Sequence, residues 1–311
     1  MKVIKAETMG MCFGVQEAIT RVYRIKKPHE VSIYGELVHN SEVLKRISGS
    51  GIHIIPESDR PCLPNTKKVL VTAHGLSNKE RKWLISKGKK LIDTSCPLVT
   101  KVHNEAQRLQ RLGYTVIILG KKNHVEVKGI TGDLDRYIVV EDIEEVYRYN
   151  IKRLGIICQS TCSPEKALYI LQRIKRLNHE SDIHFTNTIC KPSWDRQIAL
   201  QNLLKCVEAL VVLGGKNSNN TKQLVRLARE KNLPCFHIQT VDDIDSEQYK
   251  NFSVIGLSAG TSTLDSSIDE VYEKLLSIHE SNLIKGKGMF HKGKERFSDS
   301  HNQYPKGFVF N

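Results

Sequence analysis

Three cysteines of this 311-residue chain recur in one local setting: Cys12 in MGMCFGVQEAI, Cys96 in IDTSCPLVTKV and Cys190 in NTICKPSWDRQ. Each precedes a helical pattern, and at Cys96 an apolar run has just ended in Asp93-Thr94-Ser95. The unpaired N–H groups of a helix start favour a thiolate there. Three soft thiolates brought together suit an iron–sulfur cluster or zinc. Three unrelated buried cysteines would look the same, because free cysteine is among the most buried residue types. No C-x-x-C pair decides the matter, and Cys62, Cys158, Cys162, Cys206 and Cys235 read as structural.

Three histidines stand at the ends of predicted strands: His39 in YGELVHN, His74 in VTAHGLS and His124 in KKNHVEVKG. Strand C-termini are where open α/β sheets bind ligands. One such histidine is usually a satisfied polar residue; three at equivalent points of a basic chain suggest an anion site. Zinc remains open, although no HExxH pattern supports it. Hydroxyl and amide side chains crowd similar ends in CQSTCS (158–163), GGKNSNNTK (214–222) and SAGTSTLD (258–265). Each is either a phosphate cradle or an ordinary helix cap. GGKNSN is not a Walker loop, so a nucleotide-dependent phosphotransferase finds little support. Glu126, two residues past His124, is the one carboxylate in this set. It could relay a proton or be a solvated acid at a strand end.

The elements that must position these residues form a repeating unit of short β-branched strand, turn and amphipathic helix. Segments 2–7, 31–36, 68–75, 114–120, 136–142, 153–160, 209–215 and 252–260 read as strands. Helical spacing fills the stretches between, which argues for parallel sheets covered on both faces. The three cysteines are 84 and 94 residues apart, about the size of a small α/β lobe. Three lobes with one cysteine each is the reading this suggests. The division expected is 13–95, 96–190, and 1–12 with 191–281. A basic irregular tail follows over 282–311, carrying six Lys/Arg against two acidic residues.

Lys and Arg outnumber Asp and Glu by 47 to 34, a formal charge of +13. That suits nucleic acid, a phosphorylated substrate or an acidic partner. Aromatic residues are only 6% and do not interleave with basic ones, which disfavours a base-stacking platform. No apolar run reaches the roughly 18 residues of a membrane span. The N-terminus lacks the apolar core and cleavage site of a secretory signal. The expectation is a cytoplasmic protein, or an organellar one if a transit peptide has been removed, binding neither nucleic acid nor membrane. Eight cysteines in such a chain read as thiols or ligands before disulfides.

Together these motifs resemble one family. GMCFGV, GELVHN, TAHG, DTSCPLVTKVH, HVEVKG, CQST, TIC…RQ, KNSNN and SAGTST occur in the order shown by the 4-hydroxy-3-methylbut-2-enyl diphosphate reductases of the non-mevalonate isoprenoid pathway. The resemblance runs from residue 1 to about 280. It implies an α/β trefoil of three lobes, small mostly parallel sheets flanked by helices, with one [4Fe–4S] cluster at its centre held by Cys12, Cys96 and Cys190. One iron would then lack a protein ligand. It further implies an allylic diphosphate substrate reduced to isopentenyl and dimethylallyl diphosphate. The diphosphate would lie among His39, His74, His124, Ser160, Ser218, Asn219, Asn220 and Ser262, with Glu126 supplying protons. An acidic electron donor such as ferredoxin or flavodoxin is the partner expected.

The chain departs from the family pattern at three points. Ser160 replaces the usual Thr, Lys191-Pro192-Ser193 follows Cys190, and Asn219 puts an amide where a hydroxyl is usual. Two readings compete with the reductase: a non-catalytic zinc or RNA-binding protein, and a metal-free phosphosugar or nucleotide enzyme.

Overall fold

A computed structural model of the chain describes the backbone of residues 1–285 and the side chains through Ile278. Within them lie twelve strands, in three sheets of four, and nine α-helices. Strand β1 (Lys2–Lys5) and helix α1 (Phe13–Tyr23) come first. Then β2 (Val31–Tyr34), α2 (Ser41–Ser48), β3 (His53–Ile55), β4 (Lys68–Val71), α3 (Asn78–Ser86) and β5 (Lys90–Asp93) build one sheet and its cover. Helix α4 (Pro97–Arg111) leads to β6 (Thr115–Leu119), α5 (Val125–Thr131), β7 (Tyr137–Val140), β8 (Arg153–Cys158), α6 (Pro164–Leu177) and β9 (Asp182–Thr186). Helix α7 (Lys191–Leu203) leads to β10 (Ala209–Leu213), α8 (Asn219–Glu230), β11 (Cys235–Ile238), β12 (Val254–Ala259) and α9 (Asp265–Lys285).

The three sheets share one strand permutation: β3-β2-β4-β5, β7-β6-β8-β9 and β11-β10-β12-β1. All their pairings are parallel, as alternating strands and helices require. In the third sheet the fourth place goes to β1, which pairs with β12 at Lys2 and Val254. This is the three-lobed α/β trefoil that the motifs imply. The inner strands are mostly apolar, so both their faces can be covered: β6 is TVIIL and β10 is ALVVL, with every residue buried. Each fully buried Leu, Ile or Val there contributes about 1.5–3 kcal/mol. The edge strands are polar and half-exposed, as β5 (KLID) and β9 (DIHFT) show.

The permutation fixes where functional side chains fall. Helices α1, α4 and α7 each follow a fourth-place strand and carry the chain to the next sheet, and their N-cap residues are Cys12, Cys96 and Cys190. The loops after the second- and third-place strands of each sheet carry the histidines, hydroxyls and amides. Helix starts use local signals: Ser77 caps α3, Ser163 caps α6, and proline opens α4 and α6. Helix α9 continues through Lys285, so 282–285 are helical where an irregular tail was expected. The rest of that expected tail lies outside the described residues. Among the described residues no helix is long and apolar enough to cross a membrane.

Candidate active site

Cys12, Cys96 and Cys190 are all free thiols. Their amides are held in one way: Cys12 N–H donates to the Thr261 carbonyl (3.0 Å), Cys96 to Ala73 (3.0 Å) and Cys190 to Ser160 (2.8 Å). Each acceptor stands two residues past the end of a third-place strand, β12, β4 or β8. The fold therefore repeats the same attachment three times. Burial pushes the Cys96 thiol up, while the facing Leu98 and Val99 N–H groups pull it back. Burial pushes Cys190 up to about 12, against the Ser193 N–H. Cys96 and Cys190 also feel each other, Cys12 and Glu126, which places these groups in one interior region.

The residues present fit a thiolate-held group. A Cβ built on Gly14 would stand 2.5 Å from Cys96 Sγ, so α1 presents bare backbone where the Cys96 sulfur lies. Among the described residues no three or more His, Cys, Asp or Glu side chains are gathered to hold a single ion. The three thiols thus share a region without closing on one ion. Arg196 braces them: its buried guanidinium donates to the Gly10 carbonyl through Nε (3.0 Å) and Nη2 (2.7 Å), and to the Pro192 carbonyl through Nη1 (2.8 Å). One side chain thereby ties the approach to Cys12 to the helix that begins after Cys190.

The histidines converge. The His39 and His74 rings stack at 4.3 Å, and His124 meets them edge-on at 5.4 and 5.8 Å. His39 Nδ1 bonds Glu36 (2.9 Å), and His124 Nδ1 caps α5 by accepting from Glu126 N–H (3.2 Å). His39 Nε2 and His74 Nδ1 are buried without a partner. A buried polar atom left unpaired is expensive, so such atoms mark a place where a polar ligand is taken up. Burial holds His74 well below the usual histidine range and His124 down at about 3, with neighbouring cations adding to the effect. These two rings are neutral in the free protein.

Glu126 is 2% exposed, which sets aside the solvated strand-end acid. It lies on the first turn of α5 and accepts from Ser160 N–H (2.7 Å) and Ser160 Oγ (2.8 Å). Burial raises its pKa, and the Ser160 bonds pull it back. Asn220 makes the same link in the third sheet, accepting from Thr261 N–H (2.9 Å) while donating to Ser193 Oγ (3.0 Å). Ser262 Oγ donates to the His39 carbonyl (3.3 Å), and its own carbonyl accepts from Asn40 (2.8 Å). Ser218 Oγ caps α8 by accepting from Thr221 N–H (3.3 Å), and Asn219 donates to Thr161 Oγ1 (2.9 Å).

Two further residues of the quoted segments take structural partners here. Gln159 of CQSTCS accepts from Lys121 N–H (3.0 Å), and Ser193 of the Lys191-Pro192-Ser193 departure, fully buried, receives Asn220. Beside the histidines a cleft of about 870 Å³ opens, lined by His39, His124, Trp83, Lys121, Asn217 and Lys222 among others. Nothing local in the sequence separates those lysines from solvated ones. Cys158 and Cys162 are buried in the core of the second sheet, as the structural reading requires.

Comparison with known proteins agrees with this geometry. The sequence profile described as LytB protein matches residues 3–276. The 4-hydroxy-3-methylbut-2-enyl diphosphate reductase of Thermoanaerobacter sp. is 36% identical over 280 residues, 88% of this chain and 96% of the relative. That of Aquifex aeolicus is 32% identical over 289 residues, 91% and 98% of the two chains. The solved structure of the E-1-hydroxy-2-methyl-but-2-enyl-4-diphosphate reductase from Plasmodium falciparum superposes with a TM-score of 0.78 at 27% identity, over 98% of this chain and 94% of that one. With a profile spanning all three sheets and relatives matched almost end to end, the chain belongs to the LytB protein family.

Proposed function

We propose that this chain reduces (E)-4-hydroxy-3-methylbut-2-enyl diphosphate to isopentenyl and dimethylallyl diphosphate. The reaction takes up two electrons and two protons: the allylic C–O bond breaks, one C–H bond forms, and the oxygen leaves as water. The observation that carries this reading is one interior region in which three helix-start thiols and one buried carboxyl meet, beside a pocket of histidines with unpaired nitrogens. The names of the relatives support the same reaction.

One [4Fe–4S] cluster, held by Cys12, Cys96 and Cys190, would supply electrons singly and a Lewis-acidic iron for the alcohol. The chain's own residues do the rest. His39, His74 and His124 receive the diphosphate with Ser160, Ser218, Asn219, Asn220 and Ser262. Because His39 Nε2 and His74 Nδ1 already lie unpartnered in a dry site, anion oxygens reach them without competition from water. An arriving anion also offsets the burial that keeps His74 and His124 neutral, and so draws protons onto those two rings, which then donate. Glu126 holds a proton at the interior end, and Ser160 Oγ, bonded to it, passes that proton towards the leaving hydroxyl. The formal +13 suits an acidic electron donor of the ferredoxin or flavodoxin class.

The test is protein prepared without air, assayed for iron and sulfide and then for diphosphate reduction with a one-electron reductant. Iron-replete protein that leaves the diphosphate unreduced, or protein that takes up no iron, would overturn the reading.

A further inference from the structure

We propose that Lys121 and Lys222 form an outer anion station, which captures the substrate's diphosphate at the mouth of the cleft before it passes to the buried histidines. The inference rests on the proposed function for the identity of the anion. Lys121 belongs to the loop after β6, in the second sheet, and Lys222 to the first turn of α8, in the third. Both line the cleft that His39 and His124 also line. Among the described residues neither side chain forms an ion pair, whereas of the cleft's other cations Arg60 is held by Glu57 (2.9 Å) and Glu80 (3.2 Å) and Lys79 by Asp135 (3.7 Å), and Lys128 stands apart on α5. The two lysine side chains approach one another, and Lys222 is depressed by burial and then by Lys121. Two ammonium groups brought together with no carboxylate between them make a site short of an anion.

The inner pocket gives this station its use. Its histidines His74 and His124 are neutral when empty, His39 is bonded to Glu36, and Ser160, Ser218, Ser262, Asn219 and Asn220 offer hydroxyls and amides. A diphosphate leaving water for that pocket meets no fixed cation until protons follow it. A pair of lysines at the entrance supplies the missing charge where desolvation begins, and a cleft with low-dielectric walls focuses its field. His124 feels both lysines, so they lie within electrostatic reach of the inner pocket. The station acts on capture and leaves the chemical step to the interior groups.

The experiment compares wild-type holoenzyme with Lys121→Gln/Lys222→Gln. The control is Lys231→Gln/Lys250→Gln, which removes the same charge outside the cleft. Inorganic pyrophosphate is the binding probe, read by calorimetry at low and moderate salt, with KM and kcat measured in parallel. Expected for the cleft pair is pyrophosphate affinity and kcat/KM lowered by about tenfold at low salt, the lower end of what steering supplies. KM should carry that loss, and the salt dependence should flatten; Lys121→Arg/Lys222→Arg should restore both. Wild-type affinity and KM in the cleft variant, or equal losses in the control, would overturn the station while leaving the reductase reading intact. A wild-type enzyme that neither binds pyrophosphate nor reduces the diphosphate would overturn the function, and the station with it.

Discussion

Replacing Gly14 by alanine should strip the enzyme of iron without unfolding it. The new Cβ would stand 2.5 Å from Cys96 Sγ and 3.2 Å from Cys96 Cβ. Non-bonded carbon contacts settle at about 3.5–4.0 Å, so the overlap with sulfur is about 1 Å. Metal–ligand distances tolerate only about 0.2 Å. Cys96 has a single side-chain torsion with which to retreat, and turning it carries the sulfur out of its place. The backbone effect has the opposite sign: Gly14 lies in α1, where alanine is favoured over glycine by about 0.5–1 kcal/mol. Iron per chain and melting temperature, measured on protein prepared without air, should therefore part company. Iron falls towards that of Cys96→Ser, while the apo-protein melts no lower than wild-type apo-protein. A Gly14→Ala enzyme with full iron would refute the claim that α1 leaves this space for the thiolate-held group.

Serine at Cys12, Cys96 or Cys190 should likewise abolish iron binding, while serine at Cys62, Cys206 or Cys235 leaves it intact; full iron in Cys96→Ser would count against the ligand set. Glu126→Gln should keep fold and iron but lose about 10²–10⁴ in single-turnover rate, the range of general acid catalysis. A rate close to wild type would remove Glu126 from proton delivery. Acid should destabilise the protein through its buried histidines. His103 is buried with Nε2 unpartnered, and burial holds its pKa at about 4. The unfolded chain takes up that proton near pH 6.5 and the folded one does not until about 4. The stabilisation is therefore complete above pH 6.5 and lost as pH falls towards 4, by about 1.4 kcal/mol per pH unit. Denaturant midpoints of His103→Gln should show a shallower fall between pH 6 and 4.5; identical slopes would refute the assignment.

What the sequence makes legible follows burial. The eight stretches read as strands are β1, β2, β4, β6, β7, β8, β10 and β12, which include every inner strand of the three sheets. The four that escaped, β3, β5, β9 and β11, are all sheet edges. An edge strand has one neighbour and a wet flank, so KLID and DIHFT carry no continuous apolar run. The site divides in the same way. Cys12, Cys96 and Cys190 were visible because each lies at a strand-to-helix transition, a local feature. The task of Arg196, which lies in the TIC…RQ motif, and the Lys121–Lys222 pair were not, because what sets them apart is a partner 186 residues away in one case and a facing lysine on another sheet in the other. Ser218 shows that the cap and the cradle are not exclusive, since its Oγ accepts from Thr221 N–H while its O–H can still donate.

The threefold pattern accounts for the thiols, and its breaking accounts for the acid. Counting two residues past the caps of α2, α5 and α8 gives Glu42, Glu126 and Asn220. Glu42 turns outward to Arg46 and Ser267. Asn220 and Glu126 both turn inward and hold the amide two residues past a third-place strand, at Thr261 and Ser160. The geometry of these two is alike, yet only one can carry a proton. An amide at the third-sheet position completes the loop's hydrogen bonds with no charge to bury. A carboxyl there as well would set two acids in one dry interior, where each raises the other's pKa and the thiols raise both. A single inward carboxyl avoids that conflict, and it fixes which side of the central region delivers protons.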